Sequence, residues 1–324
     1  MPKPGARNGL NLKWLEVFQA CARSGSLREA ADETGLAIST ASHHLRCLED
    51  HLGIELFNHA RRPMALTPKG QAFLRNIDVA LLAIRKATSE AASADLGGTK
   101  HLRLGSIEDL DSDVMPELAV YLSGRLPESS FLYHTDTSSE IIAMLRDRKL
   151  DLGVTVAPPE RLRDLEDHPV LRDPFVMVLP ESTDAALSEI VAGEKNLPFL
   201  QFSSDLIIAR QIEAQLRRLG VSLPHKFECA SNQTLMAMVA AGTGWTITTP
   251  LLFARAKRFH ARLAMHPFPG KRFSRRLSLV YTPDCAQSVI SLVDQRLRRS
   301  LHELVITPMV AQAPWLDGQF TLID

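Results

Sequence analysis

The stretch LREAADETGLAISTASHHLRCLEDH, residues 27–51, indicates two short helices joined by a tight turn. Ser26, followed by Glu29 three residues later, is a typical helix start, because each of these side chains can satisfy a free backbone N–H group. Residues 34–35, Thr-Gly, turn the chain, and apolar residues at helical spacing predict a second helix over about 38–51. Two helices joined in this way form a helix-turn-helix, whose second helix usually enters the major groove of DNA.

The outward face of the second helix is polar, and hydroxyl, imidazole and guanidinium groups suit base edges and phosphates. The candidate DNA contacts on this helix are Ser39, Thr40, Ser42, His43 and Arg46. Residues 53–67 then predict two short strands around a basic turn, which is typical of a wing, with His59, Arg61 and Arg62 as further candidates. A solvated helix face and turn would have the same composition, but the order of these elements favours DNA binding.

One long helix is predicted after the wing, over residues 67–94. Apolar positions recur at steps of three and four from Leu74 through Ile84 to Ala91, which gives a heptad-like seam. Such a seam could pack on its own domain, but its regularity after a wing favours a dimer-forming linker helix. The predicted domains are therefore 1–66 for DNA binding, 67–94 for the linker and 95–324 for the rest of the chain.

An ordered set of short motifs runs from about residue 12 to residue 70. Its members are Leu15 and Phe18; Ser24, Gly25 and Ser26; Ala30 and Ala31; Ser42, Leu48 and Glu49; Leu52, Gly53, Leu56 and Phe57; and Leu66, Thr67 and Gly70. Together they resemble the winged helix-turn-helix of LysR-type transcriptional regulators. The resemblance implies a sequence-specific DNA-binding regulator that is not an enzyme. It also implies a homodimer or homotetramer on double-stranded DNA with a pseudo-palindromic promoter site, and RNA polymerase as a further candidate partner.

Three positions depart from the pattern of that family. Ile38 and Ser39 stand where Gln-Pro is usual, His43 where Arg is frequent, and Asn58-His59 where an acidic residue and Arg are common. Ile38 cannot replace an amide that reads adenine, although it could contact a thymine methyl group. The base contacts of typical members therefore do not carry over to this chain.

The remaining two-thirds of the chain alternate short apolar strands with helices, which makes the protein α/β overall. Residues 101–156 predict a β-α-β-α-β unit with a parallel sheet. A second unit follows over 175–248, and the chain returns through a strand at 277–281 and a helix at 287–304. Two open lobes linked by crossover strands form a hinged cleft, in which ligands favour the carboxyl ends of strands.

Residues 137–154 and 238–250 also resemble the effector domain of the LysR type, a two-lobed fold like that of periplasmic binding proteins. We place lobe I at about 100–160 and 275–306, and lobe II at about 170–268. The resemblance implies a small-molecule effector held between the lobes. The candidate effector-binding residues are Ser106, Thr137, Ser138, Ser139, Thr155, Gln201, Ser203, Asn232, Thr234 and Thr246.

The sequence leaves the charge of the effector open. Free N–H groups at a helix start would suit a carboxylate at Ser138 and Ser139. Acidic residues at 108, 109, 111 and 113 could instead select a cationic or amine-bearing ligand, or they could simply favour the first turn of a helix. Residues 255–276 hold eight Lys and Arg and no Asp or Glu, which predicts a solvated basic face or a patch that meets another subunit or DNA.

The composition and the absence of certain motifs limit which other classes of protein are possible. Lys plus Arg and Asp plus Glu are equal at 37, but residues 1–93 hold 12 of the former and 9 of the latter, so the predicted reader is mildly basic. The N-terminus has no secretory h-region and the four cysteines are scattered, so a cytoplasmic protein is expected. No catalytic, cofactor or metal motif is present. Two alternatives remain, a solute-binding or ligand-sensing protein without promoter activity, and a redox-sensing regulator that uses Cys229.

Overall fold

The computed structural model describes residues 9–58, 63–92, 101–156, 162, 164–194 and 197–323, without the side chains of 86 and 89–92. The chain divides into two compact units, Met1–Ala92 and Ser93–Asp324. The basic turn of the predicted wing, with His59, Arg61 and Arg62, lies outside the described residues.

The N-terminal unit confirms the helix-turn-helix. Its elements are α1 (Leu12–Ser24), α2 (Leu27–Thr34), α3 (Ile38–Leu52), β1 (Phe57–Asn58), β2 (Ala65–Leu66) and α4 (Pro68–Ala92). The Ser26 hydroxyl accepts the N–H of Glu29 at 3.3 Å, and Gly35 ends α2 in the left-handed region at φ 66°. The strands β1 and β2 pair antiparallel, with Phe57 opposite Leu66. A core around Phe18 and Leu48 joins the three helices to this hairpin.

A buried carboxylate ties the hairpin to α3. Glu49 is 9% exposed, and its Oε1 accepts the backbone N–H groups of Leu56 at 2.7 Å and Phe57 at 3.2 Å. Because α3 carries the candidate DNA contacts, Glu49 fixes where the wing starts relative to them. In the sequence this residue is only a member of a motif.

Glu49→Ala is expected to destabilise the N-terminal unit by about 2 kcal/mol or more, because it leaves two buried N–H groups without an acceptor. Hydrogen-exchange mass spectrometry of the full-length protein should show faster exchange in the peptide that covers residues 54–58. Glu55→Ala, which removes an exposed carboxylate nearby, is the control and should leave this rate unchanged. Equal rates in both variants would contradict the role of Glu49.

The helix α4 uses the first half of its predicted seam within its own unit. Ile77 and Leu81 are 7% and 1% exposed and belong to the N-terminal core. Gln19 on α1 donates to Asp78 at 2.7 Å and accepts from Arg85 at 2.9 Å, which holds α4 against α1. Ile84, in contrast, is 42% exposed. The packing alternative therefore applies to the first half of the seam, and pairing of Ile84 with a second chain stays a prediction.

The C-terminal unit is α/β with mixed sheets. Its strands and longer helices are β3 (His101–Ser106), α5 (Val114–Arg125), β4 (Ser130–Thr135), α6 (Ser138–Arg146), β5 (Leu152–Val156), β6 (Glu166–Pro174), β7 (Val176–Pro180), α7 (Leu187–Val191), β8 (Phe199–Phe202), α8 (Ile207–Arg218), β9 (His225–Cys229), α9 (Asn232–Ala240), β10 (Thr246–Thr248), α10 (Pro250–Ala254), β11 (Leu263–Pro267), β12 (Ser274–Tyr281), α11 (Gln287–Leu301), α12 (Thr307–Gln312) and β13 (Thr321–Leu322).

Lobe I is a six-stranded sheet in the order β13-β6-β12-β5-β3-β4. The strand β3 pairs parallel with β4 and β5, which confirms the predicted β-α-β-α-β unit. Lobe II contains the antiparallel sheet β10-β7-β11 and the parallel pair β8-β9. The strands β6 and β11 were missing from the sequence-based prediction.

The lobes are joined by two crossovers. The strand β6 leads into lobe II at Phe175, and the chain returns through residues 268–273 into β12. The N–H of Phe175 donates to the carbonyl of Phe273 at 2.9 Å, and the two rings stack with their centroids 4.4 Å apart. The crossovers are therefore attached to each other at the point where the lobes meet.

The segment after residue 306 packs on lobe I. Leu316 and Phe320 are 0% and 1% exposed, and β13 pairs antiparallel with β6. The described part of this segment therefore forms an edge of the lobe I sheet.

Candidate functional site

A cavity of about 370 Å³ lies between the two lobes. In lobe I, its wall is formed by the carboxyl ends of the parallel strands β3, β4 and β5. In lobe II, it is formed by the carboxyl ends of β8 and β9. The starts of the helices α6, α8 and α9 complete the wall. This is where parallel sheets generally bind ligands. Its described lining residues are Ile107, Glu108, Asp109, Thr135, Asp136, Thr137, Ser138, Ser139, Val156, Phe202, Asp205, Leu206, Ile207, Ile208, Ala230, Asn232, Leu252 and Arg275.

The structure brings four of the candidate effector residues together in this wall. Thr137, Ser138 and Ser139 contribute from the start of α6, and Asn232 from the start of α9. Two of these hydroxyls already serve the fold. Thr137 Oγ1 accepts the N–H of Glu140 at 3.3 Å, and Ser138 Oγ accepts the N–H of Val156 at 3.1 Å.

The other six candidates do not line the cavity. Ser106 is 1% exposed and its hydroxyl donates to Asp111 at 3.3 Å, whereas Thr246 is buried and donates to the Leu200 carbonyl at 2.8 Å. Thr155 is buried within lobe I, and Thr234 is exposed one turn into α9. Gln201 lines a second cavity of about 230 Å³ within lobe II, and Ser203 follows β8 outside both linings.

Arg275 is a lining residue that sequence reasoning assigned to a basic stretch. Only 4% of it is exposed, its Nε donates to Asp173 at 2.8 Å, and its Nη2 donates to Thr249 Oγ1 at 3.0 Å and to Asp109. Asp173 is completely buried, and burial raises the pKa of this carboxyl while the guanidinium opposes that rise. One guanidinium thus joins lobe I, through Asp109, to a buried carboxylate on a crossover strand.

Two further ion pairs join lobe II to the segment that follows β3 in lobe I. Arg255 Nη2 lies 3.1 Å from Glu108 Oε1, and Lys257 Nζ lies 2.8 Å from Asp113 Oδ1. The predicted solvated basic face is therefore wrong for Arg255 and Arg275, whose side chains are largely buried against acidic residues that follow β3. Lys257 also pairs with an acidic residue of its own chain, but it stays exposed as predicted. Composition shows both groups of charges, but only the fold shows that they face each other.

Asn232 has an unsatisfied acceptor. It is 2% exposed, and its Nδ2 donates to the Leu252 carbonyl at 2.9 Å, which fixes the orientation of the amide. Its Oδ1 is buried and accepts no hydrogen bond from the described part of the chain. A buried oxygen without a donor costs about 1–3 kcal/mol, so this atom is suited to a donor on a ligand.

The candidate DNA contacts on α3 lie on its outer side. Ser39, His43 and Arg46 are exposed, while Thr40 and Ser42 are half-buried. The three exposed side chains are four and three residues apart, so they form one stripe along the helix. The Cys47 thiol lies 3.5 Å from the nearer nitrogen of the His43 ring.

The four cysteines are free thiols. Burial, with smaller contributions from nearby carboxylates, raises the pKa of Cys21 and of Cys285 to about 12, which keeps both protonated at neutral pH. Cys229 is half-buried and donates to the Ser231 carbonyl at 3.4 Å. Within the described ranges, no group of three His, Cys, Asp or Glu is arranged to hold a metal ion. The described helices also include none that is long and apolar enough to cross a bilayer.

Known proteins resemble both units. Residues 12–71 match the family of bacterial regulatory helix-turn-helix proteins of the lysR family, and residues 97–299 match the LysR substrate binding domain. The HTH-type transcriptional regulator YofA of Bacillus velezensis is 26% identical over 271 residues, which are 83% of this chain and 91% of that protein. A probable hydrogen peroxide-inducible genes activator of Mycobacterium leprae is 27% identical over 265 residues, 80% and 85% of the two chains.

A cysteine-to-aspartate variant of full-length OxyR from Pseudomonas aeruginosa has a similar fold. Its TM-score is 0.64 at 18% sequence identity, and the match covers 92% of this chain and 97% of that one. The substrate-binding-domain match alone spans more than half of the chain. The protein therefore belongs to the LysR family of DNA-binding transcriptional regulators, which carry an effector-binding domain and are not enzymes.

Proposed function

We propose that α3 reads the operator through Ser39, Thr40, Ser42, His43 and Arg46, and that the cavity between the lobes holds the effector. The observation that carries the first part is the stripe of exposed polar residues on α3, since Ser39, His43 and Arg46 are available to bases and phosphates. His59, Arg61 and Arg62 complete the proposed surface from the wing. Thr137, Ser138, Ser139 and Asn232 are the candidate effector residues that we retain in the cavity wall.

The regulator works by differential affinity in this proposal. An effector that binds the closed cleft more tightly than the open one shifts the population of lobe arrangements, and so the spacing at which paired DNA-binding units hold a promoter. The exposed half of the α4 seam, including Ile84, supports pairing of two chains through this helix. Such a homodimer, or a homotetramer of dimers, would bind a pseudo-palindromic site in the cytoplasm and could contact RNA polymerase there.

A gel-shift experiment with the DNA upstream of the protein's own gene tests this function. We expect a retarded band at modest salt that weakens steeply as salt rises, because phosphate contacts release counterions. A band that is absent at modest salt, or that does not respond to salt, would contradict the proposal. No observation on the described cysteines favours the redox alternative at Cys229, and the matched helix-turn-helix separates the chain from a plain solute-binding protein.

His43→Ala and Thr40→Ala are expected to change sequence preference, whereas Arg61→Ala with Arg62→Ala should weaken binding to every sequence. A base contact typically contributes about 1–3 kcal/mol of discrimination, and each lost phosphate contact lowers the salt dependence by about one unit of slope. Selection from a randomised operator library measures the first effect, and a salt titration measures the second. Arg217→Ala removes an exposed cation from the other unit and is the control. An unchanged preference would exclude His43 and Thr40 as readers.

A further inference from the structure

We propose that the effector carries a protonated amine attached to a small hydrocarbon body. This proposal rests on the proposed function of the cavity and deepens it by giving the chemical class of the ligand. The sequence alone left a carboxylate and a cation equally open. Three observations favour the cation over the carboxylate: the charges of the cavity wall, one buried hydrogen-bond acceptor and the groups already present at the helix starts.

The wall of the cavity carries an excess of negative charge. Its described lining includes the carboxylates of Glu108, Asp109, Asp136 and Asp205, against two guanidinium groups, Arg275 in the lining and Arg255, which pairs with Glu108. Arg275 is already paired with Asp109 and with the buried Asp173, so five carboxylates stand against these two guanidinium groups before any ligand enters. A free carboxylate would therefore enter a field that repels it, whereas an ammonium group would be attracted.

The buried acceptor requires a donor. Asn232 lies in the lining at the start of α9, and its buried Oδ1 has no hydrogen-bond partner among the described residues, while the Nδ2 of the same amide donates to the Leu252 carbonyl. An ammonium group donates three hydrogen bonds and accepts none, and a carboxylate has no hydrogen to offer. This oxygen therefore favours a ligand with a hydrogen-bond donor, such as an ammonium group, over a carboxylate, independently of the wall charges.

The helix starts offer little to an anion. At α6 and α9, Thr137 and Ser231 each accept one backbone N–H of the first turn at 3.3 Å, so one donor of each start is already occupied. At α8, Leu206 has no side chain that could cap the helix, but the residue before it is Asp205. Its carboxylate adds a negative charge beside this start, which disfavours an anion there.

The rest of the wall is apolar. Ile107 and Val156 contribute from lobe I, and Phe202, Ile208 and Leu252 from lobe II. A volume of about 370 Å³ is near the lower limit for a ligand pocket, which restricts the ligand to a small molecule. A short aliphatic or aromatic body on the amine would fill this part of the wall, and closure of the lobes would bury it on both sides.

Calorimetric titration of the full-length protein tests the proposal with two series of matched hydrocarbon body. One series is hexylamine, norleucine and hexanoate, and the other is 2-phenylethylamine, phenylalanine and 3-phenylpropionate. We expect at least one amine-bearing compound to bind tenfold or more tightly than the carboxylate of its series. Comparison of the plain amine with the amino acid then distinguishes the two sources of the same ammonium group. Equal or tighter binding of the carboxylates, or no binding of any amine at 10 mM, would overturn the proposal.

Variants locate the bound amine. Asp205→Asn and Asp136→Asn should each weaken amine binding by about tenfold, because each removes a charge from the wall. Asp184→Asn makes the same chemical change at an exposed loop position outside the lining and should have no effect. Asn232→Leu should abolish binding, and the two aspartate variants keep the test decisive if this variant does not fold. A loss that is equal in Asp184→Asn and the wall variants would place the ligand elsewhere.

The test separates this proposal from the proposed function. Gel shifts of the same protein without ligand report operator binding alone. If DNA is bound and carboxylates are the ligands that alter it, the amine proposal fails and the regulator function stands. If amines bind in calorimetry but no operator DNA is retarded, the amine proposal stands and the proposed regulator function fails.

Discussion

Arg275→Met is expected to lower the free energy of unfolding of the C-terminal unit by about 3–5 kcal/mol. The guanidinium is buried, and its removal leaves the fully buried carboxylate of Asp173 without its charged partner. Asp109 and Thr249 lose a donor at the same time, and both lie at the junction of the lobes. Urea unfolding of the full-length protein, followed by circular dichroism, measures the change.

The neighbouring residue provides a matched control. Arg276 is half-exposed and pairs with Asp167 at 3.1 Å, so Arg276→Met should change stability by less than about 1 kcal/mol. The double variant Arg275→Met with Asp173→Leu should recover part of the loss, because it removes the unpaired charge and fills its space with a hydrocarbon side chain. Equal changes in the free energy of unfolding for the Arg275 and Arg276 single variants would show that the buried ion pair does not stabilise the junction of the lobes.

Gly70→Ala is expected to destabilise the N-terminal unit by about 3 kcal/mol or more. A Cβ at this position would overlap with the carbonyl oxygen of Leu56, which is backbone and already accepts the N–H of Thr67 at 2.9 Å. Neither group can move away without separating α4 from the start of the wing, so the added methyl costs more than ordinary overpacking. DNA binding should fall with the folded fraction, which thermal unfolding and a gel shift can compare.

Gly124 is the control for this substitution. It lies in α5 with no atom within 4 Å of an added Cβ, so Gly124→Ala should stabilise the protein by about 0.5–1 kcal/mol through helix propensity. A Gly70→Ala protein as stable as this control would mean that α4 approaches the wing less closely than described.

The N-terminal unit could be predicted almost completely from its sequence because its information is local. Helix starts such as Ser26, turns such as Gly35 and the polar face of α3 are all specified within a few residues. The function of Glu49 could not be obtained in this way, since its partners are the N–H groups of residues seven and eight positions later in a different element.

The cavity could be predicted only at its helix starts. Thr137 to Ser139 and Asn232 follow strands and begin helices, a pattern that points to the carboxyl edge of a sheet. Strand-end hydroxyls such as those of Thr155 and Thr246 look alike in sequence, but strand pairing buries both residues.

The contribution of Arg275 depends on contacts 102 and 166 residues away, to Asp173 and Asp109. The strand that carries Asp173 was itself missed, because β6 contains Pro169, Pro174 and several charges that weaken its apolar pattern.

The attachment of the two crossovers couples the two chain connections between the lobes of the effector domain. Phe175 and Phe273 share a hydrogen bond and a ring stack. The two connections are therefore attached to each other at this point and cannot bend independently there. In the proposed function, a ligand that closes the cleft would therefore act on one coupled connection between the lobes and not on two separate ones.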